Sequence, residues 1–402
     1  MSLSFGKVRF ISLFTAVALG NSWGGQLSET EKPAWLEAAL ERSARQYEYL
    51  LTKLESEEHA PRSLEGTRLT TVAWRDWTSG FFAGSLWQLH EVTGQTHWRV
   101  AAERYTALLA PAQHNRRTHD VGFVLNCSFG HGYRLTQDPR YRAVLLQGAT
   151  TLATRFNAKV GSIQSWESRN GWEFPVIIDN MMNLELLLWA AREAPDANLR
   201  AIAVSHADTT LRNHFRADAS SVHVVNYNPR TGQMRERETH QGASHDSAWA
   251  RGQAWGLYGF TLMYRETKDA RYLTQAGRIA EFIMQHPRLP ADKIPYWDFD
   301  APKIPHAPRD ASAAAITASA LLELADYVAA DSAARYRNFA EAQLRSLASP
   351  TYLAEIGSNG GFILKHSTGN FPAGKEIDVP LNYADYYFLE ALLRLRRVRS
   401  ET

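Results

Sequence analysis

Two aspartates stand where proton transfer is chemically feasible. The first lies in Ile177-Ile178-Asp179-Asn180-Met181-Met182-Asn183-Leu184-Glu185-Leu186-Leu187-Leu188-Trp189-Ala190-Ala191. A carboxylate and two amides there run into residues that are apolar on nearly every side. A helix apolar all round is a buried helix, so Asp179 is expected at a buried helix start. The carboxylate then has two uses. It can cap backbone N–H groups at the positive end of the dipole, or it can be an acid whose proton is held by burial. The second aspartate, Asp120, occupies the same kind of place in His119-Asp120-Val121-Gly122-Phe123. A lone Asp before an apolar run is more often only a cap. Two at corresponding places also fit acid–base work on a glycoside.

The setting recurs along the chain. Asp76, Asp310 and Asp385 also stand at or near the starts of apolar stretches, and Arg251 does so in Ser247-Ala248-Trp249-Ala250-Arg251-Gly252-Gln253-Ala254-Trp255. Most of these stretches end in a short turn that reads Thr-x-Asp-x-Arg-Tyr or close to it, as at 136–141 and 267–272, followed by an amphipathic helix. The spacing predicts six apolar helices, five with a following partner. The amphipathic helix at 33–54 has no apolar helix before it and pairs with the last apolar helix, which starts at Tyr383. Self-similarity of this kind marks a repeat architecture. Six inner helices ringed by six outer ones make an all-α (α/α)6 barrel, one domain spanning 21–402. An open solenoid needs polar capping repeats at both ends, and here the final helix is as apolar as the others.

In such a ring the segments leading into the inner helices share one face. The aspartates and Arg251 are therefore expected around a single mouth, a stronger signal than any one of them alone. The long irregular stretches 157–176, 216–246, 286–309 and 349–380 fall on the same face. They carry Trp166, His223, Gln241, Ser367 and Lys375, among others. Long ordered loops in a compact domain are usually functional.

Composition narrows the ligand. Twelve Trp and sixteen Tyr exceed what a core needs; flat apolar faces with polar tips suit sugar rings. A net charge of +2 argues against a nucleic-acid partner. With one cysteine, Cys127, there is no internal disulfide and no thiolate metal site. The histidines lack ligand spacing, so neither a metal nor another cofactor is expected. Lys7 and Arg9 precede an apolar run from Phe10 to Leu19, and Ala18-Leu19-Gly20 offers a cleavage site. Residues 1–20 therefore read as a signal peptide, with the rest of the chain periplasmic or secreted and not held in a membrane.

The strings WTSGFFAGSLW at 77–87, HDVGF at 119–123, IIDNMMNLELLLWAA at 177–191, SAWARGQAWGLYGF at 247–260, PRDASAAA at 308–315 and YADYYFLEALLR at 383–394 resemble the unsaturated glucuronyl hydrolases, glycoside hydrolase family 88. They cover nearly the whole mature chain in that family's order. The resemblance implies an (α/α)6 barrel. It also implies hydrolysis of acidic oligosaccharides left by polysaccharide lyases, whose terminal uronic acid carries a C4=C5 double bond. Asp179 matches the family's general acid/base, and Asp120 its second essential aspartate. Gln241, Arg251, Trp255 and His223 match substrate-site residues, with Trp77 and Trp166 as aromatic walls. Ser367 and Lys375 resemble residues found in relatives that take sulfated substrates. Arg251 has two readings, a fork onto the substrate carboxylate or a structural pair with Asp246 or Asp310. An unsaturated rhamnogalacturonyl hydrolase, a hydrolase of saturated glycosides, a sugar epimerase on the same ring and a non-catalytic sugar binder are the competing functions.

Overall fold

The chain reverses direction by the same device at each Thr-x-Asp-x-Arg-Tyr string. Gln137 and Lys268 adopt left-handed backbone, φ 56° and 59°. Each ends its helix by donating its N–H to the carbonyl of Tyr133 or Tyr264, at 2.8 and 2.9 Å. The threonine hydroxyl then accepts from the N–H of Asp138 or Asp269, at 3.2 Å in both copies. That aspartate caps the next helix by accepting from the N–H of Arg140 or Arg271, at 2.8 and 2.9 Å. One six-residue string thus stops a helix with a left-handed residue and starts the next with an N-cap.

The computed structural model describes residues 33–54 and 58–401; the signal peptide expected at 1–20 lies outside them. The inner helices are Ser79–Thr93, 121–136, 178–193, Ala250–Thr267, Ala311–Leu324 and Asn382–Glu401. The outer helices are Ala34–Thr52, Thr96–Ala107, Pro139–Ala153, Ala197–Asn213, Ala270–Gln285 and Ala330–Leu347. The last inner helix packs against the first inner helix and against Ala34–Thr52, which closes the ring as an (α/α)6 barrel. Every residue of Ala311–Leu324 is buried. The outer helix Ala270–Gln285 buries Tyr272, Ala276, Ile279, Ala280 and Ile283, one stripe at helical spacing.

Two inner segments depart from the expected regular helix. The segment 121–136 contains a π turn at Asn126–Gly130. The segment at 178–193 starts as a 3-10 turn, Ile178–Asn183, before the α-helix Leu184–Glu193. Asp179 therefore sits a full turn ahead of the α-helix and is not its cap. The long loops also hold short antiparallel strands where only irregular chain was expected. Phe174–Ile177 pairs with Val224–Tyr227, which pairs with Met234–Glu238. Ala60–Glu65 pairs with Arg68–Val72, and Ser367–Asn370 with Lys375–Val379. Strand pairing satisfies backbone groups that a buried loop would leave without partners.

Inner helices touch backbone to backbone at glycines. A Cβ on Gly80 would lie 2.4 Å from the carbonyl oxygen of Val124, and one on Gly122 would lie 2.5 Å from the Cα of Asn183. Gly80→Ala is expected to push neighbouring inner helices apart and to lower unfolding free energy by about 1–3 kcal/mol in chemical denaturation. An unchanged midpoint would show that the ring absorbs the methyl group without strain.

Candidate active site

The strand Phe174–Ile177 delivers Asp179 to the mouth of the barrel. Ile177 pairs with Val224, and the N–H of Ile178 donates to the carbonyl of His223 at 3.1 Å. This pairing brings the His223 ring beside Asp179. The ring's Nδ1 accepts the backbone N–H groups of His240 and Gln241, each at 3.1 Å. The proton of the neutral imidazole is therefore on Nε2, which lies 3.7 Å from Asp179 Oδ2. Burial holds His223 far below its usual pKa, helped by His240 and Arg251.

Asp179 is 8 % exposed, and its Oδ2 has no hydrogen-bond partner among the described residues. Burial pushes its carboxyl up to about 7, against the pull of the Arg251 guanidinium and with the Asp120 charge adding to the rise. The indole N–H of Trp255, fully buried and otherwise without a partner, faces the same carboxyl.

Asp120 is held by its own turn and by the segment that carries Asp179. Thr118 Oγ1 donates to Asp120 Oδ2 at 2.6 Å. His119 is fully buried, with Nε2 3.3 Å from Asp120 Oδ1 and Nδ1 3.3 Å from the Asn183 amide nitrogen. Asn183 Oδ1 accepts the N–H of Phe123 at 2.8 Å, across the close approach at Gly122. One asparagine thereby spans the two segments that bear the aspartates.

A cavity of about 240 Å³ is lined by Arg251 and by His240, the neighbour whose backbone N–H reaches His223. Trp77, packed at 4.9 Å on Tyr383, forms one wall. Trp166, stacked on Trp172 at 6.0 Å, forms another. Gln241 lines it while donating to the carbonyl of Gly369 at 2.9 Å. Lys375 stands exposed at its edge. Ser367, on the strand that runs to Asn370, has a fully buried side chain and does not line the cavity.

Arg251 lines the cavity, with both terminal guanidinium nitrogens engaged. It donates to Asp310 Oδ2 at 2.9 Å and to the carbonyls of Thr368 and Gly369, each at 2.6 Å. The structural pair with Asp310 is therefore the observed arrangement, and Nε alone is left without a partner among the described residues. The other aspartates at inner-helix starts are also structural. Asp310 caps Ala311–Leu324 through the N–H of Ser312. Asp76 pairs with Arg62 at 2.7 Å. Asp385 turns away from the mouth to accept the N–H groups of Ile363 and Leu364, at 2.9 and 2.8 Å. Arg62, Arg169 and Tyr383 line the cavity although sequence reasoning did not single them out. His119 was read only as part of a string, although its place beside Asp120 was visible.

The chemistry available here is that of a carboxylic acid still protonated near neutral pH, beside a neutral donor and a second carboxylate, under a box of tryptophans. Comparison with known proteins matches this arrangement to a family. The sequence profile of Glycosyl Hydrolase Family 88 matches residues 53–390. The chain belongs to that family. An unsaturated glucuronyl hydrolase from Formosa agariphila is 51% identical over 324 residues, covering 80% of each chain. A solved unsaturated glucuronyl hydrolase specific for heparin superposes with a TM-score of 0.88 at 48% identity, covering 90% of this chain and 97% of that one. A mutant unsaturated glucuronyl hydrolase from Streptococcus agalactiae, solved in complex with dGlcA-GalNAc6S, superposes with a TM-score of 0.77 at 28% identity, covering 90% of this chain and 91% of that one.

The position of Asp179 fixes a pH dependence of stability. An unfolded aspartate loses its proton near 3.9, while folded Asp179 keeps it to about 7. Between those values the folded state binds more protons, so stability falls as pH rises and remains lower above pH 7. Asp179→Asn removes that contribution. Its gain in unfolding free energy over the parent is expected to be larger at about pH 8 than at about pH 4.5, by on the order of a few kcal/mol at most. Asp385, also pushed up to about 7 by burial, contributes equally to both proteins. Equal gains at the two pH values would mean that Asp179 ionises normally in the fold.

Proposed function

We propose that this protein removes the 4,5-unsaturated uronic acid from the non-reducing end of lyase-generated acidic oligosaccharides, of the glycosaminoglycan type, by hydrating the C4=C5 double bond. The single observation that carries the reading is Asp179: a buried carboxyl pushed up to about 7, with one oxygen free of any partner among the described residues. An acid that must protonate carbon has to keep its proton near neutral pH; a glycosidase nucleophile has to lose it.

Asp179 donates its proton to C4, and positive charge develops at C5 and spreads onto the ring oxygen. The Asp179 anion formed at that moment sits 3.7 Å from the His223 Nε2–H and within the field of Arg251. Water adds at C5 and returns its proton to Asp179. The product is a hemiketal. Its ring opens to a ketone at C5 and leaves a hemiacetal at C1, which expels the downstream sugar as an alcohol. One water is consumed and the acid is regenerated. Asp120, fixed by Thr118 and His119, accepts hydrogen bonds from ring hydroxyls. Trp77 and Trp166 stack on the sugar faces.

The pattern Lys7, Arg9 and Phe10–Leu19 supports export of the enzyme to where such oligosaccharides are made. A mature N-terminus beginning near residue 21 in the extracytoplasmic fraction supports this; an intact Met1 in the cytoplasm speaks against it.

Incubation with unsaturated uronyl disaccharides is expected to abolish their conjugated ultraviolet absorbance and to release the downstream sugar, with no cleavage of saturated glucuronides. Asp179→Asn should bind the disaccharide yet lose turnover by about 10²–10⁴-fold. Equal cleavage of a saturated glucuronide would replace hydration with ordinary glycoside hydrolysis. An unchanged number of reducing ends would favour the epimerase.

A further inference from the structure

A second cavity opens at the other end of the barrel. Gln88, Arg134 and Trp189 line it, from the later turns of the inner helices Ser79–Thr93, 121–136 and 178–193. Asp120 and Asp179 stand at or before the starts of the last two. The volume is about 430 Å³, against about 240 Å³ for the cavity between Trp77 and Trp166, and the two share no lining residue. Aromatic rings fill the barrel between them. Trp255, which faces Asp179, packs on Tyr387 at 5.4 Å, and Tyr387 packs on Tyr386 at 4.9 Å. Tyr386 lines the second cavity. A ligand there is therefore separate from one at Asp179.

Two features set this wall apart from an ordinary barrel interior. Gln88 is fully buried, and neither its amide nitrogen nor its carbonyl oxygen has a hydrogen-bond partner among the described residues. A buried carboxamide with no partner is destabilising and uncommon, and this one belongs to a cavity wall. The second feature is the π turn Asn126–Gly130, both ends of which line the cavity. Single π turns within α-helices recur at functional sites.

The charges of the lining exclude an ionic ligand. Every carboxylate and guanidinium in it is paired within the fold. Glu91 takes Arg134 and Arg397, each at 2.5 Å. Arg192 pairs with Glu266 at 2.5 Å, and Glu193 with Arg142 at 3.4 Å. Glu185 pairs with Arg265 at 2.5 Å, and Arg394 with Glu323 and Glu390. An ion entering the cavity would have to compete with these pairs, and separating a partly buried pair is costly. A neutral ligand leaves them intact. Trp189 and Tyr133 meet edge to face at 5.6 Å and supply an aromatic wall. Such a wall takes the C–H face of a sugar ring, while a carboxamide offers hydroxyl groups both a donor and an acceptor. The volume falls within the range of small-molecule sites, about 300–1,000 Å³.

Beyond the hydrolase reading, we propose that this cavity is a second carbohydrate-binding site, which takes one neutral sugar ring against Trp189 and Tyr133 and hydrogen-bonds it through Gln88.

Ligand-observed NMR titration of the full chain with glucose and with N-acetylglucosamine is expected to give a Kd on the order of 1 mM, the usual yield for so small a ligand. Gln88→Met keeps the volume of the side chain and removes both polar atoms. It should weaken binding by about tenfold, melt no lower than the parent, and leave hydration of an unsaturated disaccharide unchanged. Trp189→Ala, at a half-buried position, should weaken binding at least as much. Trp77→Ala, in the other cavity, should leave it unchanged. Glucuronate, an anion with the same ring, should bind no differently in Gln88→Met or Trp189→Ala than in the parent. The proposal is overturned if neither neutral sugar binds at about ten times the expected Kd, or if their affinity is unchanged in either variant. It is also overturned if Trp77→Ala alone abolishes binding, which places the sugar at Asp179, or if glucuronate loses affinity with Gln88→Met, which makes the ligand an anion. Were Gln88→Met to unfold, Trp189→Ala and Trp77→Ala still decide. The readout is binding without turnover, so failure of the hydrolase reading would leave it intact.

Discussion

Removal of one aspartic acid from water is the constraint on which this site rests. A guanidinium close to a carboxyl ordinarily keeps it ionised, because opposite charges attract strongly at low dielectric. Desolvation nevertheless outweighs Arg251 at Asp179. The geometry gives the reason. Arg251 spends its donors on the Asp310 carboxylate and on the carbonyls of Thr368 and Gly369. Its charge is shared with a partner of opposite sign, and burial of Asp179 outweighs what remains of its pull. Breaking that pair would leave a buried charge uncompensated, which is costly in itself, so the same contact that holds Arg251 at the cavity also preserves the acid.

The backbone adds to this effect. An aspartate that caps a helix accepts backbone N–H groups and meets the positive end of the dipole, and both favour the charged form. Asp310 occupies such a place, accepting from Ser312 at the start of Ala311–Leu324. Asp179 does not. The chain enters its inner helix through the 3-10 turn Ile178–Asn183, which places Asp179 a turn upstream of Leu184–Glu193. The strand Phe174–Ile177 fixes that offset, because its pairing with Val224–Tyr227 determines where the turn begins. Two aspartates at corresponding points of the repeat are thus placed differently by a difference of one turn.

The barrel was legible in the sequence because its periodicity is carried by residues with few alternatives. The Thr-x-Asp-x-Arg-Tyr strings need their left-handed residue and their cap, and the apolar stretches have no polar face to present to water. The pairing of 33–54 with the last helix followed from counting, and the contacts between Ala34–Thr52 and Asn382–Glu401 match it. The site was legible where it coincides with helix starts, at Asp120, Asp179, Arg251 and Trp255. It was not legible where small sheets build the rim. Arg62 lies on Ala60–Glu65, a strand read as loop because Pro61 and Gly66 punctuate it. The role of Arg251 was open because both partners for its charge were plausible in sequence, and only the fold brings Asp310 to its guanidinium. Ser367 has the right residue type on the right strand, but strand alternation turns its side chain inward.

Two histidines complete the electrostatics by the same device. His223 has its Nδ1 occupied by the amides of His240 and Gln241, and His119 has its Nδ1 against the Asn183 amide nitrogen. Each therefore keeps Nε2 near a carboxyl group without a hydrogen bond to it, 3.7 Å from Asp179 and 3.3 Å from Asp120 respectively. Burial lowers the pKa of both rings, so each acts as a neutral donor rather than a cation. A charged imidazolium beside Asp179 would bring its pKa back toward that of an ordinary carboxylate, and the acid would be spent before substrate arrived. A neutral N–H interacts only weakly with the protonated carboxyl and more strongly with its anion, the form Asp179 takes in the proposed reaction. Under the proposed mechanism the interaction grows as Asp179 gives up its proton, which is the condition for it to accelerate the step rather than merely tighten binding.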